Sequence, residues 1–258
     1  MKALITGASS GIGRDIAREL HGRGYEIIAV ARRRERLEEL KKELENVEIM
    51  CADVTKEEDI ARISARAGEV DIFINNAGFG TYGRFTEIDV ENEISMIETN
   101  IKAVHRLVKA FASEFEKKGS GHILNVASIA AFFPGPLFAT YYATKSYVLR
   151  LSVALAEEMR KSKSGVKVSV LCPGPVNTEF SDVAGMSFGV GKFKIARFVV
   201  LDSRKVAKYT VKKMLRGKRI IVPSFLMKTL IFSRRFFSEP FLAKIIYKLQ
   251  NMKFIKEK

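Results

Sequence analysis

A chain of 258 residues, 47% hydrophobic and 28% charged, is long enough for one large α/β domain with a full core. Its two cysteines, Cys51 and Cys172, exclude a disulfide framework and fit a reducing cytosol, its three histidines do not cluster with them and give no metal site, and no apolar run approaches the ~18 residues of a membrane span. The net charge of +15 is lopsided: residues 1–188 nearly balance, while 189–258 carry 19 Lys and Arg against Asp202, Glu239 and Glu257, which points to an anionic lipid surface, acidic protein or acidic substrate at that end.

Lys2 to Thr6 reads as a buried strand, without the charged n-region or cleavage site of a secretory leader. Gly11 to Gly24 puts Ile12, Ile16, Ala17 and Leu20 on one helical face. Tyr25 to Ala31 is a continuous apolar strand, and Arg34 to Leu44 a helix with Leu37, Leu40 and Leu44 inward. Val47 to Cys51, Glu57 to Ala67 and Val70 to Ile74 continue as strand, helix and strand. That alternation predicts βαβ units and a parallel sheet.

A long helix is expected over Val90 to Lys117, then a strand over His122 to Ala127, a helix from Tyr141 to about Lys161 and a strand over Val166 to Leu171. A basic helix, Ser203 to Leu215, and a short strand, Arg219 to Val222, follow. Between Tyr147 and Ala156 only Arg150 and Ser152 are polar, so that helix should bury one face on the sheet and the other on a second subunit. The expected architecture is a single doubly wound, Rossmann-type domain of about seven parallel strands over residues 1–223, with a basic amphipathic extension over 224–258.

Phe225, Leu230, Phe237 and then Phe241, Ile245, Leu249 and Met252 suit two short helices with Lys and Arg on the other face. Such helices can lie on an anionic membrane, or pack on the domain or a partner subunit. Residues 181–201, with Phe188, Phe193, Ile195, Phe198, Val199, Val200 and Leu201, are expected to form an apolar cover over a hydrophobic substrate, or simply core.

The first strand runs into Thr6-Gly7-Ala8-Ser9-Ser10-Gly11-Ile12-Gly13 and then a helix. Glycines at a strand-to-helix turn let the backbone approach a pyrophosphate at a helix N-terminus. The stretch also matches the Gly-x-Ser-x-Gly elbow of hydrolases, with Ser9 as nucleophile. That elbow normally follows several strands, and no oxyanion loop precedes this one, so nucleotide binding is preferred. An NAD site wants an acid about 20 residues on, at the end of the second strand. Here that place reads Ala31-Arg32-Arg33-Arg34, and guanidinium groups clamp a 2′-phosphate. NADP(H) is therefore favoured over NAD(H), with Arg32 first and Arg33 second.

Tyr141 and Lys145 are four apart on one helix, so their side chains can meet. A phenol with pKa about 10 is a poor acid or base at neutral pH. An ammonium ~5 Å away at an effective dielectric of ~20 favours phenolate by ~3 kcal/mol and lowers that pKa by about 2.

Together Thr6-Gly7-x-x-x-Gly11-x-Gly13, Asp53, Asn75-Asn76-Ala77-Gly78, Asn100, Ser128, Tyr141-x-x-x-Lys145, Pro173-Gly174 and Thr178 resemble the classical short-chain dehydrogenase/reductase family in order and spacing over about residues 1–180. The resemblance implies a sheet that binds NAD(H) or NADP(H). Asp53, with Val54 beside it, would hold the adenine edge, and Asn76, Ala77 and Gly78 would support that side of the pocket. Asp53 could instead be a turn residue, and Asn75-Asn76 could brace the sheet. Tyr141 would donate the proton in carbonyl reduction and accept it in alcohol oxidation. Lys145 would lower its pKa and bond the nicotinamide ribose, Ser128 would orient the substrate oxygen, and Asn100 would anchor a water relay. Thr178 would meet the carboxamide, with Pro173, Gly174 and Val176 beside the ring. One departure is Ser10, where some NADP-using members carry a basic residue.

The expected activity is carbonyl–alcohol interconversion on a small hydrophobic molecule by a homodimer or homotetramer in the cytoplasm. A non-catalytic nucleotide-binding or membrane-associated scaffold is the alternative. No nucleic acid is expected, because the basic third lacks a recognised module and interleaves its charges with buried-type aliphatics.

Overall fold

Seven parallel strands carry the rest of the chain. The computed structural model describes residues 1–180, Ala184 and 200–251. The expected apolar cover thus lies outside the described residues except for Ala184, Val200 and Leu201, as does Met252 of the extension.

In chain order the first half runs β1 (Lys2–Thr6), α1 (Gly11–His21), β2 (Glu26–Ala31), α2 (Arg34–Glu43), β3 (Val47–Cys51), α3 (Glu57–Ser64) and β4 (Ile72–Asn75). Then come α4 (Val90–Ile97), α5 (Val104–Lys118), β5 (Gly121–Val126), α6 (Ala139–Lys161) and β6 (Val166–Leu171). The sheet order is β3-β2-β1-β4-β5-β6, closed by β9 (Ile220–Ile221) after helix α7 (Ser203–Leu215). A two-stranded parallel pair, β7 (Val176–Asn177) with β8 (Leu201–Asp202), was not anticipated; two residues are too few to leave a periodic signal.

The central strands β1, β2 and β4 bury both faces, as their apolar runs require, while the edge strand β3 leaves Glu48 exposed. Leu4, Ile28 and Phe73 pack with Phe111, Ile123 and Val148 on one side of the sheet. Ala3, Ile5 and Ile27 pack with Ile16, Leu20, Leu37 and Val211 on the other. Neighbouring residues of β1 thus serve opposite layers, the period-2 alternation of a strand.

The helix expected over Val90 to Lys117 is interrupted. A π-helical turn, Glu98–Ala103, separates α4 from α5. Asn100 lies in it, fully buried. Its side chain bonds the Phe79 amide (3.1 Å), the Phe79 carbonyl (2.8 Å) and the Thr144 hydroxyl (3.1 Å). An extra residue in a turn is a common way to aim a side chain at a functional site.

α6 buries Val148, Leu149, Ser152 and Ala156 and leaves Tyr147, Leu151, Val153 and Leu155 half-buried. Beyond β9, α8 (Phe225–Ser233) and α9 (Glu239–Asn251) flank a 3₁₀ turn, Arg234–Phe236. Met227 packs on Gly174 and an Arg234 Nη1 donates to the Phe132 carbonyl at 2.8 Å. No helix among the described residues is long and apolar enough to cross a membrane.

Candidate active site

The strand order reverses between β1 and β4, and at the carboxyl ends there a cleft of about 620 Å³ opens. Its wall is built largely from the turns that follow β1, β2, β3, β4, β5 and β6.

The β1 turn is shaped by close approach. Gly7 has φ +66°, and a Cβ there would sit 2.7 Å from Asn76 Nδ2. At Gly13 a Cβ would lie 2.4 Å from both Asn76 Nδ2 and the Gly7 carbonyl. Real side chains do not tolerate such distances, so the turn admits only glycine at these two places. Asn76 staples it by donating to the Thr6 and Gly7 carbonyls at 3.0 and 3.1 Å. The Thr6 hydroxyl in turn accepts the Asn76 and Ala77 amides. Asn75 reaches away and donates to the Val104 carbonyl, so it braces the sheet against α5.

α1 starts at this turn. Ser10 makes no side-chain cap bond, and the first turn carries no acid, so the positive end of the helix stays unneutralised by its own residues. Gly7, Ser9, Ser10, Gly11 and Ile12 all border the cleft. A cradle of small residues at an uncapped helix N-terminus fits a pyrophosphate.

Further along, Arg32, Arg33, Asp53 and Val54 line the same space. Arg33 is already engaged: an Nη2 donates to the Ser10 hydroxyl at 3.0 Å and lies 2.7 Å from Glu179. Arg32 is freer, with its side chain 76% exposed and a guanidinium nitrogen 3.9 Å from Asp53. Asp53 also accepts the Thr55 amide and hydroxyl, as a turn residue would. Burial pushes its carboxyl up, but the Thr55 bonds and the Arg32 charge outweigh that and hold it below its ordinary value.

At the other end Ser128, Tyr141 and Lys145 converge. Ser128 caps the 3₁₀ turn Ile129–Phe132, its oxygen accepting the Ala130 amide at 3.1 Å, and its hydroxyl lies near enough to that of Tyr141 to favour the phenolate. Lys145 is buried, donates to the Val126 carbonyl at 3.0 Å and lies 5.8 Å from the Tyr141 ring centre. An ammonium at this distance would by itself lower the phenol. Here burial dominates and pushes Tyr141 up, opposed only in part by the Ser128 hydroxyl. Burial also pushes Lys145 down to about 8, against a smaller opposing effect from Cys172. Desolvation penalises both charged forms, phenolate and ammonium, and outweighs their attraction here.

Ala77, Gly78, Pro173, Gly174, Val176 and Thr178 border the cleft as well. Thr178 packs on Gly11, its Cγ2 3.1 Å from where a Cβ would stand. Two expected site residues do not line it: Gly13 lies beneath the turn, and Asn100 sits behind the wall, 2.8 Å from where a Cβ on Gly78 would be.

The substrate end brings residues the motifs did not flag. Phe79, Tyr82, Phe138, Tyr142 and Phe180 surround Tyr141, with the Phe138 ring edge-on to it at 4.7 Å. Phe79 and Tyr142 directly follow a motif residue, and that adjacency was their available signal; Tyr82, Phe138 and Phe180 lie further from any motif residue. Gln250 had none: it comes from α9, and its Nε2 donates to the Tyr142 hydroxyl at 2.9 Å.

Sheet, cradle and cleft define the class: an oxidoreductase of CH–OH groups that works with a nicotinamide dinucleotide. The chain belongs to the short chain dehydrogenase family, whose model matches residues 1–186. An uncharacterised oxidoreductase of Staphylococcus haemolyticus is 38% identical over 192 residues, covering 71% of this chain and 82% of that one. A short-chain dehydrogenase from Sphingobium yanoikuyae, solved in complex with NADPH, superposes with a TM-score of 0.79 at 31% identity over 91% of this chain and 93% of that one. A bulky-bulky ketone specific alcohol dehydrogenase from Comamonas testosteroni gives a TM-score of 0.75 at 26% identity over 99% and 95%.

Proposed function

We propose that the protein is an NADP(H)-dependent oxidoreductase that interconverts a carbonyl and an alcohol on a hydrophobic substrate. The observation that carries this reading is continuity: one cleft runs from Arg32 and the glycine turn to the hydroxyls of Ser128 and Tyr141. A bound nicotinamide dinucleotide supplies the hydride. The side chains do the rest. Ser128 orients the substrate oxygen. Tyr141 gives it a proton in reduction and takes one back in oxidation; burial raises the phenol further above its ordinary value, so the protonated form that the first direction needs is favoured. Lys145 places a cation beneath the ring, and Asn100 holds the Phe79 backbone and Thr144 around it.

Preference for the 2′-phosphorylated nucleotide rests on the end of β2, which offers Arg32 and Arg33 and no acid. The Sphingobium relative, a complex with NADPH, is consistent with that. The aromatic wall around Tyr141 favours an apolar substrate, and the Comamonas relative is named for bulky ketones. On α4, Val90, Ile94 and Ile97 are exposed beside the half-buried face of α6, a surface suited to a second copy of the chain. Two free cysteines suit the cytoplasm.

A panel of carbonyls and alcohols, each offered with both cofactors and followed by nicotinamide absorbance, tests the reading. Turnover with NADPH is expected, and Arg32→Ala should cut the preference for NADPH over NADH by about tenfold or more. Protein that binds NADPH but turns over no substrate would replace the enzyme with a binding scaffold.

A further inference from the structure

Among the described residues fifteen large apolar side chains stand exposed, and ten of them fall within 225–249. In α8 and α9 only Met227 and Leu242 are buried. Phe225 is 82% exposed and Phe236 73%. Interleaved with these residues are Lys228, Arg234, Arg235, Lys244 and Lys248, against the single acid Glu239. We propose that this appendage docks the protein on an anionic lipid bilayer, lying within the headgroup layer.

An apolar surface of this density on a folded domain calls for a partner. Its aromatic groups are already arranged: Phe232 with Phe236 at 5.9 Å, Phe237 with Phe241 at 5.3 Å, and the Arg235 guanidinium 5.4 Å over Phe232. Rings with cations beside them suit the boundary between acyl chains and headgroups. Positive charge continues onto α7, where Lys213 and Lys228 both approach the Tyr209 ring, at 5.5 and 5.7 Å. A second copy is a poor occupant, because a symmetric contact would set each basic patch against itself. Spanning is excluded by length, since α8 has 9 residues and α9 has 13, against about 20 for a crossing. Charge and shape therefore select a surface that is apolar just below and anionic above.

Docking would also orient the cleft. Gln250 of α9 borders it, bonds Tyr142 and accepts the Tyr82 hydroxyl through its carbonyl at 3.4 Å. The substrate end thus lies against the docked helix. If the oxidoreductase reading holds, carbonyls dissolved in the bilayer are the substrates this placement serves.

The full-length chain should be sedimented with phosphatidylcholine vesicles containing about one third phosphatidylserine, and with pure phosphatidylcholine vesicles. Binding to the anionic vesicles should be about tenfold tighter or more and should weaken steeply as salt rises. The double variant Phe225→Glu, Phe236→Glu should lose it while turning over a water-soluble carbonyl as before. No binding to anionic vesicles overturns the proposal, as does equal binding to both lipids or undiminished binding by the variant. A wild-type oligomer that dissociates in the variant would assign the patch to a second copy and also overturn it. Vesicle binding is read without substrate, so an inactive protein that binds vesicles would refute the oxidoreductase reading alone.

Discussion

Two sets of phenylalanines show how differently one side chain can be used in one chain. Phe73 and Phe111 stack at 3.8 Å in the layer beneath the sheet, with Phe115 edge-on to Phe111 at 5.9 Å, and all three are fully buried. In the appendage Phe232 and Phe236 make an edge-on pair of similar spacing, yet both are exposed. Ring contact alone therefore says little about stability. The first set excludes water from a core; the second waits on a surface that the fold itself does not cover.

The largest effect should come from neither set but from the site they flank. Tyr141→Phe keeps the ring, its packing on Phe138 and the cleft, and removes only the hydroxyl beside Ser128. We expect kcat to fall by about a thousandfold or more while NADPH titration by fluorescence is nearly unchanged. Normal carbonyl reduction by this variant would remove Tyr141 from its role.

Next in size is a core truncation. Phe111→Ala removes a fully buried ring from between Phe73 and Phe115, and should destabilise the domain by about 3–5 kcal/mol. Urea unfolding measures it. A loss below about 1 kcal/mol would mean that the site collapses around the cavity and that the core layer is less rigid than its packing implies.

A third prediction concerns pH. His122 on β5 is buried, and its Nε2 lies 2.9 Å from the Ser169 hydroxyl, which itself donates to the Lys218 carbonyl. Burial, and secondarily the Lys167 charge, push its pKa down to about 4. The folded state therefore refuses a proton that the unfolded chain accepts near its ordinary value of 6.5. Stability from this group is complete above that value and is lost as pH falls through the window between about 6.5 and 4. Linkage gives roughly 2 kcal/mol between pH 7 and pH 5. Urea midpoints at the two pH values should show the loss in the wild type and a flatter dependence in His122→Asn. Equal slopes would show that other groups govern the acid limb.

The core region was largely legible because its signals repeat. Seven apolar runs separated by amphipathic stretches leave few alternatives to a parallel doubly wound sheet, and the strands fall where those runs lie. The cleft was legible through motifs that the topology brings to one edge, from Gly7 to Thr178. What escaped was nonlocal or collective. The π turn at Asn100 depends on Phe79 and Thr144, which lie 21 and 44 residues away. The raised phenol of Tyr141 depends on burial by Phe138 and Phe180, which no spacing of Tyr and Lys can express. Gln250 reaches the cleft from the far end of the chain.

The smallest effect sharpens the contrast between the two sets. Phe236→Ala deletes the same ring as Phe111→Ala, but from a position 73% exposed. Little apolar area leaves water there on folding, so urea unfolding should change by no more than about 0.5 kcal/mol. Its ring partner among the described residues, Phe232, is itself exposed and loses an edge contact rather than a packed neighbour. A loss comparable to that of Phe111→Ala would mean that the monomer in solution buries Phe236. The two sets of phenylalanines would then be one core, and the appendage would have no free apolar face to offer a membrane.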